Sequence, residues 1–394
     1  MTGQERNQLA AQLSALSVFR GILSSKPMAA LLDFLKCGGE VWEIMDRYGL
    51  FVAELADADY CFSDFLCRAV YEDENPYIVS AAAGKEIPPV LRKNAQNELQ
   101  LLSRLTTLNA ELLLKGLDYE GYVPEFANQE VDLAASYAQR LTQIGRYGYG
   151  VFASAPMFRV VDEQILPVRT ADPIALTDFV GYEEERRQVF ENTRALVENR
   201  PAANVLLFGD AGTGKSSTVK ACANYFYDQG VRLIGLRKDQ LFSLSAVMGR
   251  IANNPLKFII FIDDLSFNKN DDCFSMLKAA LEGSASAKAS NAVIYATSNR
   301  RHIVKEKFTD RNGIDDVHHS DTVQELLSLS DRFGLTVYFS KPNKQLYLQI
   351  VHALAQSRGI DVEESQLNIK AEAFALAKGS RSPRAAEQFI NSLL

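Results

Sequence analysis

No stretch of this chain approaches the roughly 18–20 uninterrupted apolar residues that a membrane-spanning helix needs. The sequence therefore asks for no bilayer as a partner. Its opening, "MTGQERNQLAAQLSALSVFR", lacks the compact apolar core and small-residue cleavage site of a signal peptide. Cysteine is sparse. The five residues stand apart at 37, 61, 67, 222 and 273 with no CxxC. That pattern excludes a disulfide framework and fits reduced thiols, so a cytoplasmic location is expected. Histidine is rarer still, with four residues. No zinc motif, no Cys/His or Ser/His nucleophile arrangement and no recognisable DNA-binding helix pair can be read. Internal repeats and low-complexity tracts are also missing.

What is present is an ordinary soluble composition, 47% hydrophobic and 23% charged. At 394 residues the chain is long enough for two or three domains. Its net charge of −7 is unevenly placed. Residues 1–170 hold 15 Lys and Arg against 22 Asp and Glu, whereas residues 171–394 hold 27 of each. An acidic first part argues against a nucleic-acid platform there.

The periodicity changes along the chain. Up to about residue 145, apolar residues recur at three- and four-residue steps, which predicts a mainly helical domain. "YEDENPY" (71–77) and "GKEIPPV" (84–90) read as loops within it. Residues 146–168, rich in Tyr, Phe and Val around a polar break at Asp162, Glu163 and Gln164, predict a β-hairpin. "RTADPIALTDF" (169–179) then reads as a linker. Beyond it, "NVLLF", "RLIGL", "FIIFI", "AVIYA" and "LTVYF" are short, bounded and β-favouring, with helical stretches between several of them. This pattern is that of a parallel α/β sheet. After residue 343 only helical texture remains.

Directly after the first of those strands comes "GDAGTGKSS". Gly209, Gly214, Lys215 and Ser216 satisfy every fixed position of a P-loop. Glycines let backbone N–H groups approach phosphate oxygens. Lys215 would meet the β- and γ-phosphates, Ser216 would offer its hydroxyl to Mg²⁺, and the following helix would aim its positive end at the anion. The nucleotide-binding stretch is thus Gly209, Asp210, Ala211, Gly212, Thr213, Gly214, Lys215, Ser216 and Ser217, with ATP and Mg²⁺ as cofactors. Downstream, the apolar strand "FIIFI" ends in two adjacent carboxylates, Asp263 and Asp264. Like charges side by side repel unless each has separate work. Asp263 is read as the Mg²⁺-side acid opposite Ser216, and Asp264 as the acid that activates water.

P-loop, interposed strand and acidic pair resemble the AAA+ ATPases. That resemblance implies further roles. Asn299, at the end of "AVIYATS", would be sensor 1. Arg332 in "SLSDRFGLTVYF" would be an arginine finger entering a neighbour's site, with a local ion pair to Asp331 as the alternative. Arg384, behind Ser382 and Pro383, would be sensor 2, with Arg381 competing. Phe179, Val180, Gly181 and Tyr182 would line the base pocket. Most of the superfamily carries Asp-Glu where this chain carries Asp-Asp, one methylene shorter at the second acid. The strings "FVGYEEER", "FIDDLSF", "LKAALEG", "YATSNRRHIV" and "LSDRFGL" more closely resemble the bacterial AAA+-type ATPases grouped as domain-of-unknown-function family 815. Asp-Asp is typical of that group. The resemblance spans roughly residues 146–394.

The expected fold is thus α/β, an AAA+ core with a parallel five-stranded P-loop sheet flanked by helices, a C-terminal helical lid and a mainly helical N-terminal domain. The expected boundaries are 1–145, a hairpin and linker at 146–176, a core at 177–342 and a lid at 343–394. The expected function is ATP hydrolysis by a homo-oligomer, a ring or partial ring, that remodels a protein or nucleic-acid client. The alternatives are a slowly hydrolysing nucleotide-gated switch and a DNA replication or recombination loader. His318 and His319, beside several aspartates, read as a solvated loop rather than a metal site. Trp42 is expected in a core or an interface, and Cys37, Cys61 and Cys67 in a core.

Overall fold

The computed structural model describes residues 1–168, 173–265, 276, 277, 281, 290–299 and 332–394. Arg300, Arg301, His318, His319, Asp331 and the "LKAALEG" segment lie wholly or largely outside them. The chain divides into two compact units, Met1–Ser154 and Ala155–Leu394.

The first unit is helical: α1 (Gly3–Ser14), α2 (Lys26–Lys36), α3 (Val41–Ala53), α4 (Phe62–Glu72), α5 (Pro76–Ala82), α6 (Pro89–Leu105), α7 (Ala110–Leu114), α8 (Leu133–Thr142) and α9 (Ile144–Tyr147). Its core buries Leu13, Phe19, Phe34, Tyr48, Phe51, Phe62 and Leu102 completely or nearly so. Phe51 meets Phe62 edge-to-face at 5.3 Å. Of the two places expected for Trp42, a core or an interface, the core is excluded, since the residue is 69% exposed. Cys61 is buried, whereas Cys37 and Cys67 are only partly so.

One buried carboxylate organises the first turn of this unit. Glu98 on α6 accepts from the Ser17 N–H (2.8 Å), the Ser17 hydroxyl (2.7 Å), the Val18 N–H (3.0 Å) and the Phe19 N–H (2.9 Å). Glu98→Ala strands three buried or half-buried backbone donors. Each such loss costs on the order of 1–3 kcal/mol, so denaturant unfolding should register a destabilisation of about 3 kcal/mol or more. A variant as stable as the wild type would show that this carboxylate does not hold the turn.

The second unit is built on one sheet. Its strands are β1 (Met157–Val161), β2 (Gln164–Pro167), β3 (Val205–Gly209), β4 (Val231–Leu236), β5 (Lys257–Ile262), β6 (Ala292–Ser298) and β7 (Leu335–Phe339). They lie in the order β2-β1-β4-β5-β6-β3-β7. The five expected strands are β3 to β7, all paired in parallel. The expected hairpin extends the same sheet, since β1 pairs in parallel with β4 and β2 antiparallel with β1. Its turn is tight, with Asp162 and Glu163 both at positive φ. Strands β3, β5 and β6 are buried along almost their whole length. Continuous apolar runs, rather than alternation, follow from a parallel sheet covered on both faces.

Helices α10 (Glu183–Val197), α11 (Lys215–Tyr225) and α12 (Leu244–Ile251) belong to this layer. A final group, α13 (Lys344–Ser357), α14 (Glu364–Ala377) and α15 (Pro383–Asn391), has its own small core around Tyr347, Ile350, Val351, Leu367, Ala371 and Phe389. The molecule thus has the expected α/β class: a helical N-terminal region, a core built on a mostly parallel sheet flanked by helices, and a C-terminal helical group in the place of the expected lid. Among the described residues no helix is long and apolar enough to cross a membrane.

Candidate functional site

The carboxyl ends of parallel strands are where a doubly covered sheet opens a crevice. Here β3, β5 and β6 end side by side and the lid stands above them. The cleft measures about 680 Å³, within the ~300–1,000 Å³ usual for small-molecule sites.

The floor is the loop from β3 to α11. Gly209 sits at φ +133, and a Cβ there would lie 2.1 Å from the Phe339 carbonyl oxygen of β7. Only glycine allows the chain to turn that close to its neighbouring strand. Gly212, at φ +74, faces the Arg384 and Ser382 side chains at 3.1 and 3.4 Å from the position of a Cβ. The stretch Ala211 to Ser217 lines the cleft, whereas Gly209 and Asp210 are not among its lining residues. Lys215 is 5% exposed. Its ammonium donates to the Asp210 carbonyl (2.6 Å) and the Gly209 carbonyl (3.3 Å). Burial pulls the lysine below its usual range, against the opposing pull of Asp210, Asp263 and Asp264.

The acidic pair stands opposite. Asp263 Oδ1 accepts from the Ser216 hydroxyl at 2.6 Å and from the Thr297 hydroxyl at 2.6 Å. Asp264 Oδ1 accepts from Asn299 Nδ2 at 2.8 Å. The two carboxylates therefore have different partners. A hydroxyl and a carboxylate at hydrogen-bond distance form a hard, all-oxygen donor pair, which suits Mg²⁺. Among the described residues no cluster of three or more His, Cys, Asp or Glu forms a metal cage. An ion here would take its remaining ligands from phosphate and water.

The walls come from two further segments. Phe179, Val180 and Tyr182 line the cleft with Ile174 and Asp178. Gly181 does not. It supports the wall instead, accepting from Arg186 and donating its N–H to Glu183 Oε1 at 2.8 Å. Arg186 lies 5.3 Å over the Phe179 ring. Tyr182 donates its hydroxyl to the Ser340 carbonyl at 2.6 Å. From the lid come Ile350, Leu354, Pro383, Arg384 and Glu387. Arg384 is the second residue of α15, whose N-cap Ser382 accepts the Ala385 N–H on Oγ at 3.1 Å. The Arg384 N–H donates to the Gly212 carbonyl at 3.3 Å, tying lid to loop. Arg381 is turned elsewhere, paired with both carboxylate oxygens of Glu372 at 3.0 and 2.8 Å.

Arg332 is not among the residues lining this cleft. Parallel register explains its distance. Leu335 pairs with Val205 and Phe339 with Gly209. Arg332 therefore precedes the end of β7 that lies farthest from the P-loop.

Sequence reasoning did not single out Thr297, Ile174, Asp178, Arg186, Ile350, Leu354 or Glu387. For Thr297 a signal existed: it precedes Asn299 by two, so an extended chain turns both to one face.

A family model described as "Protein of unknown function (DUF815)" matches residues 153–394. No curated protein matches the sequence. Matching solved structures include "Replication initiator DnaA bound to AMPPCP and single-stranded DNA", at 14% identity and a TM-score of 0.40. The match covers 57% of this chain and 66% of that one, just under two thirds.

Proposed function

Since this chain belongs to the DUF815 family, whose description names no activity, we propose from the site itself that the protein binds ATP with Mg²⁺ and hydrolyses it. One observation carries the reading: a glycine-rich loop with a buried lysine, a Ser–carboxylate pair and a second carboxylate held by an amide share one cleft. In this reading the N–H groups of residues 211–217 and Lys215 bind the phosphates, and Lys215 gives up its carbonyl partners for them. Ser216 and Asp263 would hold Mg²⁺, which would supply positive charge against the phosphates. Asp264, oriented by Asn299, accepts a proton from the attacking water. Arg384 reaches the γ-phosphate from the lid. The apolar wall of Phe179, Val180, Ile350 and Leu354 takes the base. Arg332 serves the site of a second copy, so the working form is an oligomer. Its client is a protein or nucleic acid, and the family description names neither.

Lys215→Ala tests the floor of this site. A charge-assisted hydrogen bond is worth about 1.5–3 kcal/mol, so ATP affinity by calorimetry should weaken roughly ten- to a hundredfold. Unchanged affinity would remove the P-loop from the reading.

A further inference from the structure

We propose that Thr297 is a positioning residue whose one hydroxyl sets the two adjacent acids to their separate tasks, an inference that rests on the ATPase reading above. Thr297 is 2% exposed on β6. Its Oγ1 donates to Asp263 Oδ1 at 2.6 Å and accepts the Asp264 N–H at 2.9 Å. Its own carbonyl accepts the Leu265 N–H at 2.6 Å. Three successive residues beyond β5 are thus tied to one residue of the neighbouring strand.

The polarity of this link is fixed by chemistry. A backbone N–H can only donate, and an ionised carboxylate can only accept. The threonine proton therefore goes to Asp263, and a lone pair goes to Asp264. An apolar side chain can serve neither contact, and one with only donors or only acceptors can serve one.

The consequence lies in the backbone of Asp264. Its φ is +54, in the left-handed region that few non-glycine residues enter. In an extended continuation of β5, Asp263 and Asp264 would point to opposite faces. With the chain turned at Asp264, its carboxylate instead meets Asn299, two residues past Thr297 and just beyond the end of β6. Thr297 holds the backbone of the second acid and Asn299 holds its side chain. A strained conformation persists only where its surroundings over-determine it, and these two residues supply that determination.

The test uses the full chain and Thr297→Val, which keeps the shape and removes the hydroxyl. Loss of such a supporting contact typically costs 10–100-fold. Turnover should fall about that far, and the Mg²⁺ concentration for half-maximal activity should rise. ATP affinity by calorimetry in EDTA should stay within about twofold, since no phosphate contact is lost. Thr297→Ser, which restores the hydroxyl, should recover most of the turnover. If Thr297→Val proves unfolded by circular dichroism, Thr297→Ala against Thr297→Ser provides the same contrast. Wild-type turnover in a folded hydroxyl-free variant overturns the proposal. So does a serine variant as slow as the valine one, because the effect then belongs to packing. A wild-type protein that hydrolyses no ATP fails the underlying reading instead, and the two failures are told apart by that control.

Discussion

Asp264→Asn is expected to keep ATP and Mg²⁺ bound while turnover drops about 10²- to 10⁴-fold, the range that a positioned general base contributes. Asparagine preserves the size of the side chain and still offers an oxygen to the Asn299 amide, which now donates to Asp264 Oδ1 at 2.8 Å. It removes the capacity to take a proton. The measurement is a single-turnover assay beside a calorimetric titration, so that binding and chemistry separate. Asp264→Glu sharpens the point. Its backbone stands at φ +54, a conformation aspartate tolerates better than longer side chains. The turn aims a short acid, and a glutamate would carry its carboxylate past Asn299. Misplacement near 1 Å costs about a hundredfold, so the glutamate variant should also be slower than the wild type. A faster glutamate variant would show that the short acid limits the rate. Full activity in Asp264→Asn would remove this residue as the base.

How much of this was legible in the sequence differs from one residue to the next. Glycines at 209, 212 and 214 after an apolar run made the loop from β3 to α11 readable from local spacing alone. The strand ending in Asp263 and Asp264 was readable because an apolar run that stops on two charges needs a reason. The spacing puts Thr297 on the face of Asn299, but it does not name the two acids as its partners. A threonine in a buried strand is a good β-former and draws no notice. Its meaning depends on the register that pairs Ile262 with Ala296, a relation between residues 34 positions apart. The hairpin at 157–167 was legible as a hairpin, but its pairing with β4 was not, because strand neighbours are chosen by tertiary packing. The lid wall was hidden for a similar reason. Apolar periodicity marks Ile350 as core, yet Ile350 is both a core residue of the lid and a lining residue of the cleft. The choice between Arg381 and Arg384 as the arginine facing the cleft needed Glu372, which pairs with Arg381. Helix α11 ends at Tyr225, and a short 3₁₀ turn at Tyr227–Gln229 follows it.

Arg332→Ala is expected to leave ATP binding intact and to slow hydrolysis about 10³-fold or more, the scale on which an arginine finger acts. Geometry motivates the assignment to a neighbour. Parallel strands β3 and β7 run together from Val205 opposite Leu335 to Gly209 opposite Phe339. At about 3.3 Å per residue the register alone separates the two ends by roughly 13 Å, and Arg332 precedes Leu335 by three residues more. An arginine at that end is remote from its own P-loop. In a head-to-tail assembly the same end of the next copy can face the cleft. Specific activity should then rise with protein concentration until assembly saturates. A mixture of Lys215→Ala with Arg332→Ala should recover turnover that neither shows alone, because some mixed interfaces pair an intact P-loop with an intact arginine. A planar, permanently charged fork suits the spread charge of the transferring phosphoryl group, so Arg332→Lys should rescue poorly. Activity per subunit that stays flat on dilution to a confirmed monomer would confine Arg332 to a local contact. Co-assembled mutants that recover nothing would do the same.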